Sequence, residues 1–329
     1  MGFREHVRFN AASTTFHSFD ELRQNLIGWD TDPVQLGTGT LTTRFDQLQF
    51  GNTVLYRLRN SKALTDRSGH GHGELAYVIC FTWKKWCGFE LPPGTIVIKG
   101  PVREHRSVLG DDWESLTIHV TDDVADELGL PILSTNYMQT PIEQCVRALP
   151  DILVAEFRSL TRGLIVPFDQ EYSASNGREW AQATCDRALQ LLLRAYQLPT
   201  EASIAPTVTS SITGYDLIVS ALGHFEKSEA SKISVAELSD AAGVTARSLN
   251  NAFRRYLGVS PNQYILARRL NSAREVLLSN AYSTDLIDVT TVALSQDFYH
   301  LSRFAQHYRR LFGELPSQTL YRTRSAGLA

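Results

Sequence analysis

The sequence predicts an α+β protein in which an antiparallel β domain precedes an all-helical domain. Apolar and polar residues alternate between turn signals from about residue 35 to 120, which is typical of strands. Helical periodicity takes over after Pro141. The chain has 329 residues, of which 43% are hydrophobic and 20% charged, so two domains with cores of ordinary size are expected.

Composition and charge divide the chain further. The segment QLPTEASIAPTVTSS, 197–211, holds Pro, Ser and Thr without periodicity and is predicted to link a domain at 1–196 to a domain at 212–329. Residues 1–209 carry 19 Lys and Arg against 25 Asp and Glu, whereas residues 210–329 carry 13 against 10. Only the second part is basic, so we expect that part to approach a polyanion.

The β domain is expected to form strands from QLGTGTLTTRF, NTVLYRLR, ELAYVICFTW, TIVIKG and SLTIHV. Two helices are predicted after it, at 151–163 and 178–196. The second helix places Leu191 and Leu192 on one apolar side with other small residues. Periodicity leaves two interpretations open: these helices cover the sheet, or they form a two-fold dimer contact that includes Leu192.

Several function classes are excluded. The sequence holds no apolar run of 18 residues and no secretory signal, so we expect a cytoplasmic protein without membrane contact. Its four cysteines form no CxxC pair and no short disulfide framework, so reduced, buried thiols are expected. No nucleophile, base and orienting group form a recognisable catalytic set, so we expect neither enzyme activity nor a cofactor.

The basic part predicts a helix-turn-helix. Ser234 and Glu237 have the spacing of a capping box, which starts a helix. Gly243 can take the positive φ of a tight turn, and Thr245 can cap a second helix, ARSLNNAFRRYL. Its packing residues are Leu249, Ala252, Phe253, Tyr256 and Leu257, and its outer residues are Arg247, Asn250, Asn251, Arg254 and Arg255. A helix with such an outer face after a glycine turn is typical of DNA-reading proteins.

The same pattern occurs a second time. FRRYLGVSP at 253–261 matches YRRLFGELP at 308–316, an offset of 55 residues. The earlier positions match at an offset of 54, so one extra residue lies in the second turn, where Asp297 stands in place of Gly243. Between the copies, NQYILARRLNSAREVLLSN at 262–280 predicts an amphipathic helix that would fix their separation.

This arrangement resembles the AraC/XylS family of bacterial transcription regulators over about 110 residues. The resemblance is carried by AAGVTARSLNNAFRRYLGVSPNQYI, RRLNSAREVLL and VALSQDF with FAQHYRRLFGELPSQ. It implies two helix-turn-helix units joined by a long helix, with double-stranded promoter DNA and RNA polymerase as partners. The sequence departs at Asp297, where the family usually has glycine, and at Tyr308, where it usually has phenylalanine. We expect a cost in the second turn rather than a break, because Asp tolerates left-handed φ.

By position on the two second helices, eight side chains are expected to contact bases and phosphates. Arginine suits guanine, whereas asparagine and glutamine suit adenine. The eight are Arg247, Asn250, Asn251 and Arg254 in the first unit, and His300, Ser302, Arg303 and Gln306 in the second.

The β domain occupies the place where members of this family resemble a jelly-roll, cupin-like effector domain followed by dimerisation helices. ELPPGTIVIKGP at 90–101 is similar to the Pro-Gly turn and following strand of that fold. The resemblance implies a small-molecule effector and a homodimer.

The stretch LTDRSGHGHGE, 64–74, is open to three interpretations. His70, His72 and Glu74 could bind a metal, which would make the β domain a metal-dependent cupin-type enzyme fused to a DNA-binding module. Metal cupins carry a further histidine after the Pro-Gly turn, and that place falls in TIVIK, so we expect no metal. A plain solvent turn beside a pocket for another small organic effector is the second interpretation.

The third interpretation is nucleotide binding. Asp66-x-Ser68-x-x-Gly71 resembles the DxSxxG element of PilZ domains, which bind cyclic di-GMP together with an upstream RxxxR, here Arg4 to Arg8. Arginine can stack on guanine and bind phosphate, and Asp and Ser can accept and donate hydrogen bonds. The sequence departs in spacing, since 57 residues separate Arg8 from Asp66 where PilZ proteins have a few tens at most. The resemblance implies cyclic di-GMP as effector.

Overall fold

A computed structural model gives the fold, and it describes most of the chain. The described residues are 8–18, 21, 29–70, 74–100, 105–130, 145–164, 174–198, 212–227, 233–279 and 288–326. Within them, antiparallel sheets come first and helices follow, so the predicted α+β class is confirmed. The predicted linker, 197–211, lies outside the described residues except at its first two positions.

The strands form two antiparallel sheets. In chain order they are β1 Phe9–Phe16, β2 Trp29–Gln35, β3 Thr43–Phe50, β4 Thr53–Asn60, β5 Leu64–His70, β6 Glu74–Cys80, β7 Lys84–Trp86, β8 Phe89–Leu91, β9 Thr95–Lys99, β10 His105–Leu109, β11 Trp113–Thr121 and β12 Val146–Ala148. The first sheet has the order β1-β3-β4-β11-β6-β9-β12, and the second has the order β2-β5-β10-β7-β8. Neighbours in the second sheet are therefore often distant in sequence.

The helices lie mostly after the sheets. They are α1 Asp122–Glu127, α2 Asp151–Gly163, α3 Ala174–Gln197, α4 Ile212–Lys227, α5 Val235–Ala241, α6 Ala246–Leu257, α7 Pro261–Ser279, α8 Val289–Ser295, α9 Leu301–Phe312 and α10 Pro316–Ala326. The sequence predicted α2, α3, α5, α6 and α7 to within a few residues at each end. Among the described residues, no helix is long and apolar enough to cross a membrane.

Two predictions about strands are wrong. QLGTGTLTTRF was expected to be one strand, but 36–42 leave the sheet between β2 and β3. The side chain of Gln35 donates to the carbonyls of Gly37 and Gly39, both at 2.8 Å, and this holds the bend. The start of LTDRSGHGHGE was expected to be a turn, but residues 64–70 form β5, which pairs with β2 and β10.

The helices α2 and α3 cover the first sheet. Leu191 and Leu192 are 1% and 0% exposed and belong to the same core cluster as Leu55, Tyr77 and Ile118 of the sheet. The prediction that Leu192 lies in a dimer contact is therefore wrong, because the sheet already covers the apolar side of α3. Ala183, which was placed on that apolar side, is exposed.

The four cysteines are free and buried, as the sequence predicted. Cys80, Cys87 and Cys145 belong to one apolar cluster beside Trp86, and Cys185 belongs to the cluster between α3 and the sheet. Burial raises the pKa of the Cys185 thiol to about 12, with Asp186 adding to the effect. The thiol therefore stays protonated near neutral pH.

Candidate nucleic-acid interface and buried polar site

The first helix-turn-helix unit consists of α5 and α6, and its capping is as the sequence predicted. Ser234 accepts from the Glu237 amide at 3.2 Å, and Glu237 accepts from the Ser234 amide at 2.7 Å. The hydrogen bonds from Ser234 lower the pKa of the Glu237 carboxyl. Gly243 takes a φ of 64° in the turn, and Thr245 then caps α6 by accepting from the Ser248 amide.

The second unit, α8 and α9, repeats this geometry with different residues. Asp288 caps α8 by accepting from the Thr291 amide at 2.6 Å. Asp297 holds a φ of 58° where the first unit has Gly243, so the turn survives the departure from the family's glycine. Both second helices end on a left-handed glycine, Gly258 at 76° and Gly313 at 77°.

Tyr308, the second departure, has a buried partner network. Its hydroxyl lies 2.9 Å from that of Thr319 and 3.4 Å from an Arg274 nitrogen. Arg274 donates to Glu314 at 2.7 Å, and Thr319 also donates to Glu314. The extra hydroxyl of tyrosine is therefore satisfied where phenylalanine would have none. The network fixes α10 against α7 and α9.

Each second helix buries one side and exposes a polar side. The expected packing residues of α6 are all buried, from Leu249 at 0% exposed to Leu257 at 7%. In α9 the buried residues are Phe304, Tyr308, Leu311 and Phe312. The residues on the opposite sides are exposed, except for the partly buried Asn250: Arg247, Asn250, Asn251 and Arg254 in α6, and His300, Ser302, Arg303 and Gln306 at and within α9.

A second cluster of polar residues lies inside the β sandwich, on the inner side of the second sheet. Ser107 of β10 pairs with Asp66 of β5 on one side and with Trp86 of β7 on the other, so three side chains form a row. In the next row Ser68 pairs with His105. Ser68, Trp86, Ser107 and His105 are between 0% and 3% exposed.

Two buried lysines face this row. The ammonium of Lys99, on β9 of the first sheet, donates to the Ser68 hydroxyl at 2.9 Å, so it crosses from one sheet to the other. Lys84 of β7 lies 5.7 Å from the ring of Trp113. Both lysines are 4% exposed. Burial lowers the pKa of Lys99 to about 8, with the charge of Lys84 adding and that of Asp66 opposing.

The cluster holds polar atoms that its own side chains do not satisfy. The Oδ1 atom of Asp66, the indole nitrogen of Trp86 and the hydroxyls of Ser107 and Ser115 are buried without a hydrogen-bond partner among the described residues. Burial raises the pKa of the Asp66 carboxyl, although Lys99 and Lys84 oppose the effect. Unsatisfied buried polar groups cost about 1–3 kcal/mol each, so a group that satisfied several of them would bind here.

The sequence-predicted effector residues are divided by the structure. Asp66 and Ser68 come together inside the sandwich, and Arg8 is exposed just before β1. Arg4 and Gly71 lie outside the described residues, so their predicted roles are untested.

Two of the three predicted metal ligands, His70 and Glu74, end strands β5 and β6, and His72 lies outside the described residues. Glu74 lies 3.4 Å from His119, and this carboxylate opposes the lowering of the His119 pKa by burial. Within the described ranges no group of three or more His, Cys, Asp or Glu side chains could hold a metal ion.

Sequence reasoning missed Lys84 and Lys99. Lys84 stands two residues before Trp86 on the same side of a short strand, and Lys99 ends the apolar run TIVIK. A lysine with the inward parity of an apolar strand is the only local signal for burial.

Comparison with known proteins supports the helical part. A family model described as a helix-turn-helix domain matches residues 238–322. The XylDLEGF operon transcriptional activator of Pseudomonas putida is 44% identical over 88 residues, which are 27% of this chain and 27% of that protein. The probable thc operon regulatory protein of Rhodococcus erythropolis is 32% identical over 100 residues, 30% of each chain. The present chain thus aligns with about a quarter of the length of these curated relatives.

Among solved structures, the AraC-like transcriptional activator CuxR matches with a TM-score of 0.38 and 13% identity, covering 80% of this chain and 95% of that one. The matched sequence segment includes α6 and α9, together with α7 between them. It also contains both left-handed turns and the exposed polar sides described above. Residues 238–322 of this chain are therefore a helix-turn-helix domain of the AraC/XylS family of transcription regulators.

Proposed function

We propose that the chain is an effector-controlled transcription regulator, and not an enzyme, that binds promoter DNA with both helix-turn-helix units. The observation that carries the proposal is the matched pair of second helices, α6 and α9, each with an exposed polar side over a buried apolar one. The domain division at 1–196, 197–211 and 212–329 belongs to the same proposal. The names of the matched relatives describe operon activators or regulators, which supports this assignment.

The proposed DNA contacts are the eight side chains named from the sequence. Arg247, Asn251 and Arg254 of α6 lie at the spacing of one helix face, which allows them to enter one major groove together. Arg303 and Gln306 hold the corresponding places on α9. Exposed arginines can bind guanine edges or phosphates without first losing an internal partner.

Selection of binding sites from a random DNA library tests the proposal without a known operator. Fluorescence anisotropy on the selected duplex should then show tight binding by the wild type and weaker binding by Arg254→Ala. Arg162→Ala, on the exposed side of α2, is the matched control and should bind as the wild type does. A library that yields no enriched sequence would overturn the proposal, as would equal losses in the variant and its control.

We further propose that the effector binds inside the β sandwich, at Asp66 and Ser68. Two lysines and one carboxylate give the cluster a net positive charge when all three are ionised, and unsatisfied donors surround it. A buried cation is stabilised by an anion that also accepts hydrogen bonds. The effector is therefore proposed to be anionic.

Cyclic di-GMP is the anionic effector that the RxxxR and DxSxxG residues indicate, with Arg4, Arg8 and Gly71 completing its site. The burial of Ser68 favours a second candidate, a small organic anion that fits between the sheets without opening them. Titration calorimetry with cyclic di-GMP separates the two. Binding at micromolar concentration that Arg8→Ala weakens at least tenfold supports the dinucleotide. No heat, or equal affinity in wild type and Arg8→Ala, removes it.

A homodimer and contact with RNA polymerase complete the proposal. The outer side of α2 and α3 carries charged groups, including Glu156 with its partners Arg187 and Arg194, so a dimer contact there would be polar. Analytical ultracentrifugation of the full chain measures the oligomeric state. A monomer at tens of micromolar, both free and on DNA, would contradict the dimer.

A further inference from the structure

We infer that Gln35 and Lys85 of the β sandwich are positioning residues that set the spacing between the two recognition helices, α6 and α9. Both residues lie on the second sheet, and each hydrogen-bonds a carbonyl at the C-terminal end of one helix. The inference rests on the proposed DNA binding, because the spacing of two recognition helices matters only for a protein that reads two grooves.

The contact to α9 is made by the bend that follows β2. The Gln35 side chain donates to the Leu311 carbonyl at 2.7 Å, and the Gly39 amide donates to the carbonyls of Arg310 and Leu311 at 3.1 Å. These carbonyls belong to the last turn of α9, where a helix leaves its acceptors without internal partners. The bend therefore satisfies the end of the second recognition helix.

The same bend is tied to the connecting helix α7. The amide of Gln35 donates to Asn271, and the Asn271 side chain donates back to the Gln35 carbonyl, both at 3.2 Å. Arg268 donates to Asp32 at 2.7 Å in a partly buried ion pair. Four hydrogen bonds at Gln35 and Asn271 thus join β2 to the helix that separates the two units.

The contact to α6 is made from β7 of the same sheet. The ammonium of Lys85 donates to the Arg255 carbonyl at 2.6 Å, while Glu90 lies 3.5 Å from it. Arg255 corresponds to Arg310 under the repeat offset of 55 residues. The sheet therefore holds both recognition helices at equivalent carbonyls, and the positive charge of Lys85 also suits the negative end of the α6 dipole.

Packing shows that this contact is a built interface. Val34 is 1% exposed and belongs to the core cluster of the second unit, while Leu36 packs against the clusters of both units. A methyl group on Gly313 would lie 2.4 Å from Thr40 Oγ1 and 2.9 Å from the Thr40 amide nitrogen. The bend and the end of α9 are therefore in close contact.

The sheet that holds the helices also lines the proposed effector site. Lys84 faces the buried polar cluster, and its neighbour Lys85 faces α6. Asp66 on β5 pairs with Pro33 on β2, two residues before Gln35. A ligand that shifts β5 or β7 would therefore move the groups that hold both helix ends. Different affinities of the effector for two spacings would couple its binding to DNA binding.

The distance between spin labels on α6 and α9 tests the inference in the full chain without DNA. Cysteines placed at the exposed equivalent positions Asn251 and Gln306 carry the labels, and the native cysteines are buried. We expect one narrow distance distribution, which Gln35→Ala with Lys85→Met should broaden. An unchanged narrow distribution in the double variant would show that α7 alone sets the spacing and would overturn the inference.

Gly313→Ala and Gly258→Ala form a matched pair for the same measurement. Both glycines have a φ near 77°, but a methyl group at Gly258 would meet nothing within 4 Å. Gly313→Ala should broaden the distance distribution and Gly258→Ala should not; equal effects would count against the contact. Site selection then distinguishes the two proposals: the double variant should still select DNA but accept half-site spacings that differ by a base pair or more. Loss of all selection by the wild type would concern the proposed function alone.

Discussion

Replacing Lys99 with methionine should stabilise the ligand-free protein, because burial penalises the charge of this lysine. Burial lowers its pKa from 10.5 to about 8. At about 1.4 kcal/mol for each pH unit between these values, the charged lysine destabilises the folded state by on the order of 3 kcal/mol. Loss of the 2.9 Å hydrogen bond to Ser68 offsets roughly half of this. We expect a net gain of about 1–2 kcal/mol near pH 7.

The pH dependence has a definite sign. Below pH 8 the folded lysine is charged and its cost is complete. Between pH 8 and 10.5 the unfolded chain binds more protons than the folded one, so the stability of the wild type rises toward that of the variant. Urea unfolding at several pH values, followed by tryptophan fluorescence, measures the difference. Ser68→Ala is the control, because it removes the hydrogen bond but keeps the charge, and it should be less stable than wild type at each pH.

Two results would refute this reasoning about Lys99. Lys99→Met could be less stable than wild type at pH 7, which would mean that the lysine is well compensated in the free protein. The stability difference could also stay constant from pH 7 to 10.5, which would mean that Lys99 does not titrate in that range. The predicted result instead describes a residue that costs stability in the free protein and is retained for ligand binding.

Three further predictions concern the helices. Arg247→Ala and Arg303→Ala should each weaken binding to selected DNA by about 1–3 kcal/mol, measured by mobility shift, because each is exposed on a recognition helix; unchanged affinity would remove that residue from the interface. Asp297→Gly should raise the free energy of unfolding by up to about 1 kcal/mol, because it relieves a φ of 58°, and a lower thermal midpoint would contradict this. Leu192→Glu should destabilise the sandwich by about 3 kcal/mol or more, because its side chain is fully buried, and a well-folded monomer in sedimentation would restore it to a dimer contact.

The helical part could be predicted from sequence because its signals are local. The Ser234 and Glu237 cap, the Gly243 turn and the 3.6-residue period of α6 all fall within about 25 residues. The second unit then follows from the 54- and 55-residue offsets. Even the departure at Asp297 is resolved locally, since the residue takes the left-handed φ that glycine would take.

The buried polar site could not be predicted, because non-local pairing forms it. Asp66, Trp86 and Ser107 meet only through the order β5-β10-β7, in which neighbours are 20 or more residues apart in sequence. The glycines and histidines after Asp66 resemble a turn, yet the pairing of β5 with β2 makes its first half a strand. Leu36 was read as part of a strand because QLGTG alternates, but its partners lie in the helical part.

Chemical footprinting of the wild type on selected DNA tests the central claim most directly, namely that both helix-turn-helix units read DNA. The account predicts two protected major-groove segments for each bound chain, on the same face of the duplex and roughly 34 Å apart. Arg303→Ala should lose protection in one segment and keep it in the other. A single protected segment for each chain, or equal loss in both segments, would contradict the account.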